Sequence, residues 1–446
     1  MNYAGKKMKR YIFKELANWR HRQDRKPLVL LGARQVGKTF SLKQFGKECF
    51  DQVFYINLES EPKVHNLFQA TLDPYKIVKN LEIYYNTTVD PNTTLIIFDE
   101  IQESPEALAS LKYFCENAPE FFIATAGSLL GLKTKRSKGF PVGKVNFLSL
   151  YPLSFFEYLL AIGEHKLLDY LQSIAIIEPL QDLLHEKASE LLKIYLYVGG
   201  MPEAVKKYAE NKNLNEVRNI QHDINRAYEF DFAKHAPSEL VARITEVWHS
   251  LPKHLAKENK KFIFSAIREG ARAREYDAAI QWLLDAGLIY RAVNITAPKI
   301  PLPVYGDSNA FKLYLNDVGL LGALSNLESR TVVQGNELFT EFKGALTENF
   351  VASNLAMRSE NKLYYWTSGN TAEIDFITQH EGKLYPVEVK SGQSGRKKSL
   401  QVYEGRYHPA LLERFSTMNL RCDGRLCNYP LYLIERYPLK LNDSRT

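Results

Sequence analysis

The chain has 446 residues, too many for one ordinary core, and its 45% hydrophobic and 24% charged content excludes wholesale disorder. No apolar run reaches the length of a membrane span, and the basic start MNYAGKKMKRYIFKEL lacks the apolar core of a secretion signal, so no membrane partner and a cytoplasmic location are expected. The net charge of +7 permits nucleic-acid binding without requiring it, and the four scattered cysteines, Cys49, Cys115, Cys422 and Cys427, suit independent thiols in a reducing compartment better than a disulfide framework or a zinc site.

Residues 28–153 alternate short apolar runs (LVLL, VFYINL, TLIIFD, FFIATAG, VNFLSLYPL) with longer amphipathic stretches. That alternation predicts an α/β fold, a mainly parallel sheet covered by helices, with the first strand central. Between the first run and the helix TFSLKQFGKE, residues 32–39 read GARQVGKT and satisfy G-x-x-x-x-G-K-[ST] in full. Gly32 and Gly37 allow backbone conformations that a side chain would obstruct. The amides of Gln35, Val36, Gly37, Lys38, Thr39 and Phe40 then turn toward phosphate oxygens at a helix N-terminus. Lys38 reaches the β- and γ-phosphates of ATP, and the Thr39 hydroxyl ligates Mg²⁺.

The run TLIIFDEIQ ends in an acidic pair. Asp99 is placed to hold Mg²⁺ and Glu100 to orient or deprotonate the attacking water, which points to hydrolysis rather than transfer to a second substrate. The next run, FFIATAGS, ends at Ser128, which either contacts the γ-phosphate or the attacking water, or caps a helix.

Taken in order, LLGARQVGKT, IIFDEIQ, ATAGSLLG and FLSLYPLSFFEYL resemble a prokaryotic family of AAA+-type ATPases whose ATPase module is joined to a C-terminal domain of unknown function related to restriction-endonuclease folds. YVGGMPEAV, LLDAGLIYR, FKLYLNDVGLLGAL, TENFVASNL and AEIDFI with VEVKSG are similar to later landmarks of that family, so the resemblance covers nearly the whole chain. It implies a P-loop NTPase core at 1–153, a helical lid at 154–235, a winged-helix segment at 236–296 and an α+β, restriction-endonuclease-like domain at 297–446. It also implies a homo-oligomer. Where family members carry Arg after a Pro-x-Gly element, this chain has Lys144. Arg136, Lys138 and Lys144 are therefore either stand-ins for an arginine finger or solvated loop residues.

From 154 to 235 the apolar residues recur at helical spacing, and Gly199, Gly200 and Pro202 end a helix. In IREGARAREYDAAIQWLLDAGLIYRA, at 267–292, a turn precedes a helix with Ala278, Ile280, Leu283 and Leu284 toward a core, and then a strand. Arg272 and Arg274 stand at the start of that helix, where a winged helix meets the major groove of double-stranded DNA; such folds also serve as protein–protein modules.

In the last third, Glu388 and Lys390 lie two apart in LYPVEVK and share a strand face, with Asp375 one hairpin upstream. Read alone, they are either an exposed charge pair or part of a metal site. With Glu348 on the helix ALTENFVASNL, their order resembles the PD-(D/E)xK nuclease core, in which carboxylates hold divalent metal and the lysine faces the scissile phosphate. Glu373 is a secondary candidate on the Asp375 face, and Gln393 with the basic run GRKK a possible backbone contact or a solvated loop. The function so read is a Mg²⁺-dependent ATPase whose nucleotide state is coupled to DNA binding and to DNA cleavage by the nuclease-like domain. The alternative is a nucleotide-switched regulatory or binding protein with an inactive nuclease-like domain.

Overall fold

The computed structural model describes residues 9–127, 141–257, 260–329, 340–360, 362–369, 371–392 and 398–441. Ser128, Arg136, Lys138 and Gln393 lie outside the described residues, as does GRKK up to Lys397. The chain divides into one unit of residues 9–151 and a second from Pro152 onward, with Asp285–Gly287 grouped with the first.

In the first unit, the strands β1 (Leu28–Leu31), β2 (Gln52–Asn57), β3 (Thr94–Asp99), β4 (Phe122–Ala126) and β5 (Asn146–Ser149) form one sheet in the order β2-β3-β4-β1-β5. Every neighbouring pair in it is parallel. Parallel strands need crossovers, and these are helices whose apolar sides cover the sheet. Every residue of β3 is buried, and Ile96 and Phe98 share a core with Leu81, Leu111 and Phe114 from the covering helices. Each such side chain contributes about 1.5–3 kcal/mol on burial. The helices start where the sequence marks them: Asp73 accepts from the amides of Tyr75 and Lys76 ahead of Pro74, and Ser104 from that of Ala107 ahead of Pro105. The expectation of a central first strand is corrected. β1 is interior, but β5 pairs along its outer side from Leu28↔Asn146 to Leu31↔Ser149, and β4 takes the centre.

The second unit begins with a run of helices between Phe155 and Asp285, including Asp182–Val198, Leu214–His235 and Ala273–Asp285. The helix Asp182–Val198 ends at Gly199, in the left-handed region at φ +69°, and Pro202 opens the next. Its last carbonyls are not left orphaned, because the Gln221 amide donates to Tyr197 O at 2.9 Å and to Val198 O at 2.7 Å. At the same point Leu153 N donates to Gly200 O at 2.6 Å, and Gly200 N donates to the buried Asp317 carboxylate at 2.6 Å. A Cβ on Gly200 would sit 2.1 Å from Leu153 O, so only glycine fits this crossing. In Ala273–Asp285 the buried positions are Tyr276, Ala279, Ile280, Trp282 and Leu283. Ala278, expected in the core, is exposed, because the buried stripe runs through its neighbour Ala279.

Two mixed sheets follow. One, β7-β6-β8-β9, is built from β6 (Ile289–Ile295), β7 (Gly306–Leu315), β8 (Leu363–Thr367) and β9 (Glu373–Ile374). The other, β10-β11-β12-β14-β13, holds β10 (Phe376–His380), β11 (Lys383–Val389), β12 (Leu412–Ser416), β13 (Arg421–Asp423) and β14 (Leu426–Pro430). Trp366, Ile374, Ile377, Leu400, Tyr403 and Leu412 join both sheets in one core. The expectation of four independent thiols fails at β13 and β14. A two-residue turn with Gly424 at φ +60° sets Cys422 directly opposite Cys427, and the two form a disulfide with Cα atoms 4.0 Å apart. That removes the cysteine argument for a reducing compartment; Cys49 and Cys115 are free thiols.

Buried carboxyls give this unit a pH signature. Glu413 on β12 is 1% exposed and accepts from the Tyr437 hydroxyl, yet burial pushes its carboxyl up to about 8. Burial likewise pushes the Glu435 carboxyl up to about 7. Between the unfolded value and these, the folded state holds protons that the unfolded chain has lost, so stability falls as pH rises through that window. Glu413→Gln is expected to flatten part of that fall, read as a smaller loss of urea midpoint between about pH 5 and about pH 8 than in the wild type. An identical loss in both proteins would contradict it.

Candidate nucleotide-binding site

The phosphate-binding sequence folds as strand, loop and helix: β1, then Gly32–Gly37, then the helix Lys38–Cys49. Gly32 has no room for a side chain, since a Cβ would meet the Leu150 carbonyl oxygen at 2.3 Å. Gly37, at φ +94°, and Gln35, at φ +64°, turn the chain in the left-handed region. Val36 is buried, whereas Gln35 and Phe40 are exposed. Lys38 is almost fully buried, and its Nζ donates to Gly32 O at 3.1 Å and Ala33 O at 2.9 Å. Burial lowers its pKa to about 8, against the pull of Glu100 and Asp99 in the other direction and with Arg34 adding to the fall.

Asp99 ends β3 beside this loop. Its Oδ2 accepts from the Thr39 hydroxyl at 2.8 Å and from the Tyr55 hydroxyl at 2.8 Å. The hydroxyl and the carboxylate are hard oxygens meeting at one place, a donor set that suits Mg²⁺. Glu100 takes a left-handed backbone, φ 51° and ψ 45°, and its carboxylate accepts from the Gln102 amide at 2.5 Å. The structure thus brings Lys38, Thr39, Asp99 and Glu100 to the C-terminal ends of β1 and β3, where ligands bind in open α/β sheets.

Sequence reasoning missed three residues here. Arg10 donates to Val36 O at 3.0 Å and to Tyr151 O at 2.7 Å, clamping the phosphate loop to the end of the unit. Tyr55 shares the Asp99 oxygen, and Lys43 sits 3.2 Å from the centre of its ring. Gln102 holds the Glu100 carboxylate. The only sequence signal for Tyr55 and Gln102 was a polar group beside an apolar run. Lys144, considered as a finger, pairs with Glu116 at 2.9 Å.

The second constellation also converges, but not as expected. Glu348 lies on the helix Thr340–Arg358, Asp375 between β9 and β10, and Glu388 on β11. Glu388 is buried and pairs with Lys390 at 3.0 Å, so the exposed-pair reading does not hold. The Glu348 carboxylate accepts from Tyr314 at 2.6 Å and from Lys312 at 3.3 Å, and also pairs with Lys260. Lys312 pairs with Glu373 too, and lies 4.0 Å from Asp375. Among the described residues, no group of three or more His, Cys, Asp or Glu side chains is placed to hold a metal ion. These residues do not fit the divalent ion that the nuclease resemblance implies. Arg272 and Arg274 are both exposed at the start of Ala273–Asp285.

Residues 24–159 match the family described as "AAA domain". The chain carries an AAA-type P-loop ATPase domain. Residues 189–331 and 343–432 match two families, each described as a domain of unknown function (DUF8612 and DUF4143). Two uncharacterized proteins, one of Mycobacterium tuberculosis and one of Mycobacterium bovis, are 35% identical over 80 residues, 18% of this chain. The matched stretch spans 17% of the length of those curated relatives. Among solved structures, the Walker-type ATPase PABY2304 of Pyrococcus abyssi is similar at a TM-score of 0.43 and 14% identity, over 70% of this chain and 94% of that one. Cdc6p of Pyrobaculum aerophilum is similar at 0.24 and 12%, over 73% and 96%. Among the described residues, no helix is long and apolar enough to cross a membrane.

The lowered Lys38 pKa makes nucleotide binding proton-linked. A polyphosphate restores the ammonium, so binding at about pH 8 is expected to take up roughly half a proton per site. Calorimetry in buffers of different ionisation enthalpy reads that uptake, and Lys38→Arg should abolish it. No uptake by the wild type would mean that Lys38 is already fully charged in the free protein.

Proposed function

We propose that the chain hydrolyses ATP at the Lys38–Thr39–Asp99–Glu100 site and couples its nucleotide state to DNA binding by the second unit. The observation that carries the first half is the meeting of the Thr39 hydroxyl and the Asp99 carboxylate, 2.8 Å apart, beside a buried lysine whose Nζ is held by two backbone carbonyls. Lys38 exchanges those carbonyls for phosphate oxygens and neutralises charge on the leaving diphosphate. Thr39 and Asp99 would hold Mg²⁺, which supplies Lewis-acid neutralisation of the phosphates when bound. Glu100 accepts the proton of the water that attacks the γ-phosphorus, and Gln102 fixes the direction of its carboxylate. Tyr55 keeps the Asp99 carboxylate from rotating.

For the second half, support comes from the exposed Arg272 and Arg274 at a helix start, on a chain of net charge +7. We read residues 236–296 as a winged-helix-like segment and residues 297–446 as a nuclease-like domain. The alternative of a nucleotide-switched binding protein without cutting activity is favoured over a nuclease by one observation: the carboxylates of the nuclease-like core are paired with lysines. An oligomer with shared ATP sites belongs to the same proposal.

Glu100→Gln should lower ATP turnover by about 10²–10⁴-fold while leaving ATP binding intact. Lys38→Ala should lose binding as well, and unchanged phosphate release in both variants would overturn the site. For DNA, Arg272→Ala with Arg274→Ala should reduce the slope of log affinity against log salt by about 0.9 for each phosphate contact removed. An unchanged affinity and slope would remove these arginines from the interface.

A further inference from the structure

Lys312 lies on β7 and is wholly shielded from solvent. Its Nζ faces Glu348 from the helix Thr340–Arg358, Glu373 from β9, and Asp375 from the junction of β9 and β10. The helix and the β9–β10 segment, separate in sequence, deliver carboxylates to one ammonium. The Tyr365 ring, its centre 4.9 Å from Nζ, stands beside the ammonium as well.

Several of the remaining oxygens are also engaged. Glu348 accepts from the Tyr314 hydroxyl at 2.6 Å, and its other oxygen pairs with Lys260. Asp375 Oδ2 accepts from the Val389 amide at 2.8 Å. Glu388 Oε1 pairs with Lys390 at 3.0 Å. Its Oε2 is buried without a hydrogen-bond partner, but one oxygen beside an ammonium is not a coordination shell. A divalent ion needs several oxygens converging at roughly 2.0–2.6 Å, whereas an ammonium needs acceptors for three N–H bonds. The donor set here is nearer the second: Glu348 and Glu373 accept from Lys312 Nζ, and Asp375 lies 4.0 Å away.

We propose that the Lys312 ammonium is the resident cation of the Glu348–Glu373–Asp375 cluster, so that the second unit binds no divalent metal there and does not cleave phosphodiesters. Lys260 brings a second ammonium to the three carboxyls from the segment that follows the helix Ser238–Leu255. The place where a nuclease-like core would do chemistry is thus an ion lock that fastens β7, β9 and the helix Thr340–Arg358 together. A lysine buried at a fixed strand position cannot be exchanged for a hydrated metal without opening that lock. The inference is independent of ATP hydrolysis at the other site, and either can fail alone.

The test is Mn²⁺ binding to the full chain, followed by electron paramagnetic resonance. Asp99→Asn is carried as the background, to remove the metal site of the ATPase domain. The expected result is no Mn²⁺ bound more tightly than about 1 mM. In the same background, Lys312→Met removes the charge at similar volume. It should create a Mn²⁺ site at least about tenfold tighter and a melting temperature raised by Mn²⁺. Supercoiled plasmid should stay intact with the wild type in Mg²⁺ or Mn²⁺. If Lys312→Met does not fold, the Asp99→Asn protein alone decides. Mn²⁺ bound below about 1 mM and lost on adding Asp375→Asn would overturn the proposal, as would cutting abolished by Asp375→Asn. Absence of both would uphold it.

Discussion

An ammonium buried in the middle of a strand is tolerated only where anions are brought to it. In the second unit this requirement, set by Lys312, accounts for an arrangement that packing alone would not dictate. The helix Thr340–Arg358 turns Glu348 inward among Ala345, Leu346 and Phe350, where an apolar residue would otherwise suffice. The short strand β9 stops after Ile374, so that Glu373 and Asp375 flank a single buried isoleucine. Removing one partner from such a buried pair costs about 3–5 kcal/mol, a large share of the stability of an ordinary domain. The cluster is therefore as much a part of this unit's core as the aromatic side chains around it.

The two units bury a lysine in opposite ways. Among the described residues, Lys38 has only neutral carbonyls as direct hydrogen-bond partners, and burial drives its pKa down. It gains most when an anion arrives. For Lys312 burial works in the same direction, but Glu348, Glu373 and Asp375 outweigh it and hold the ammonium charged. It gains nothing from a further anion. The same comparison applies to the acids. Asp99 accepts from two neutral hydroxyls and a backbone amide, whereas Glu348 is already matched by two lysines.

What could be read from the sequence follows from how local the chemistry is. The phosphate loop was legible because its strand, glycines, lysine and threonine are consecutive, and Asp99 with Glu100 because a buried apolar run points straight at them. Arg10 was not, since it reaches Val36 and Tyr151 through space. Glu348, Asp375 and Glu388 were linked through their order and its resemblance to a nuclease core, which gave no information about their counter-ions. The clue was present in FKLYLND: a lysine inside an otherwise apolar alternation should have demanded a buried anion. Ala278 was misplaced by one position because two adjacent alanines carry no information about which faces inward. The cysteine pair was missed because a five-residue separation becomes a cross-strand contact only through the turn at Gly424.

Glu435 accepts from the Ser154 hydroxyl at 2.7 Å and from the Phe156 amide at 2.7 Å, and so caps the helix Phe155–Ile162 from near the other end of the unit. On the ribosome, Ser154 emerges long before its partner exists. At about 5–20 residues per second, the wait for Glu435 is roughly 15–60 s. Until then, that helix start has only its local capping box with Glu157. The outer cap of that helix thus waits for the synthesis of Glu435, whereas the five strands of the first unit's sheet are complete once Ser149 is made. Lys38, Thr39, Asp99 and Glu100 are all made well before that cap exists.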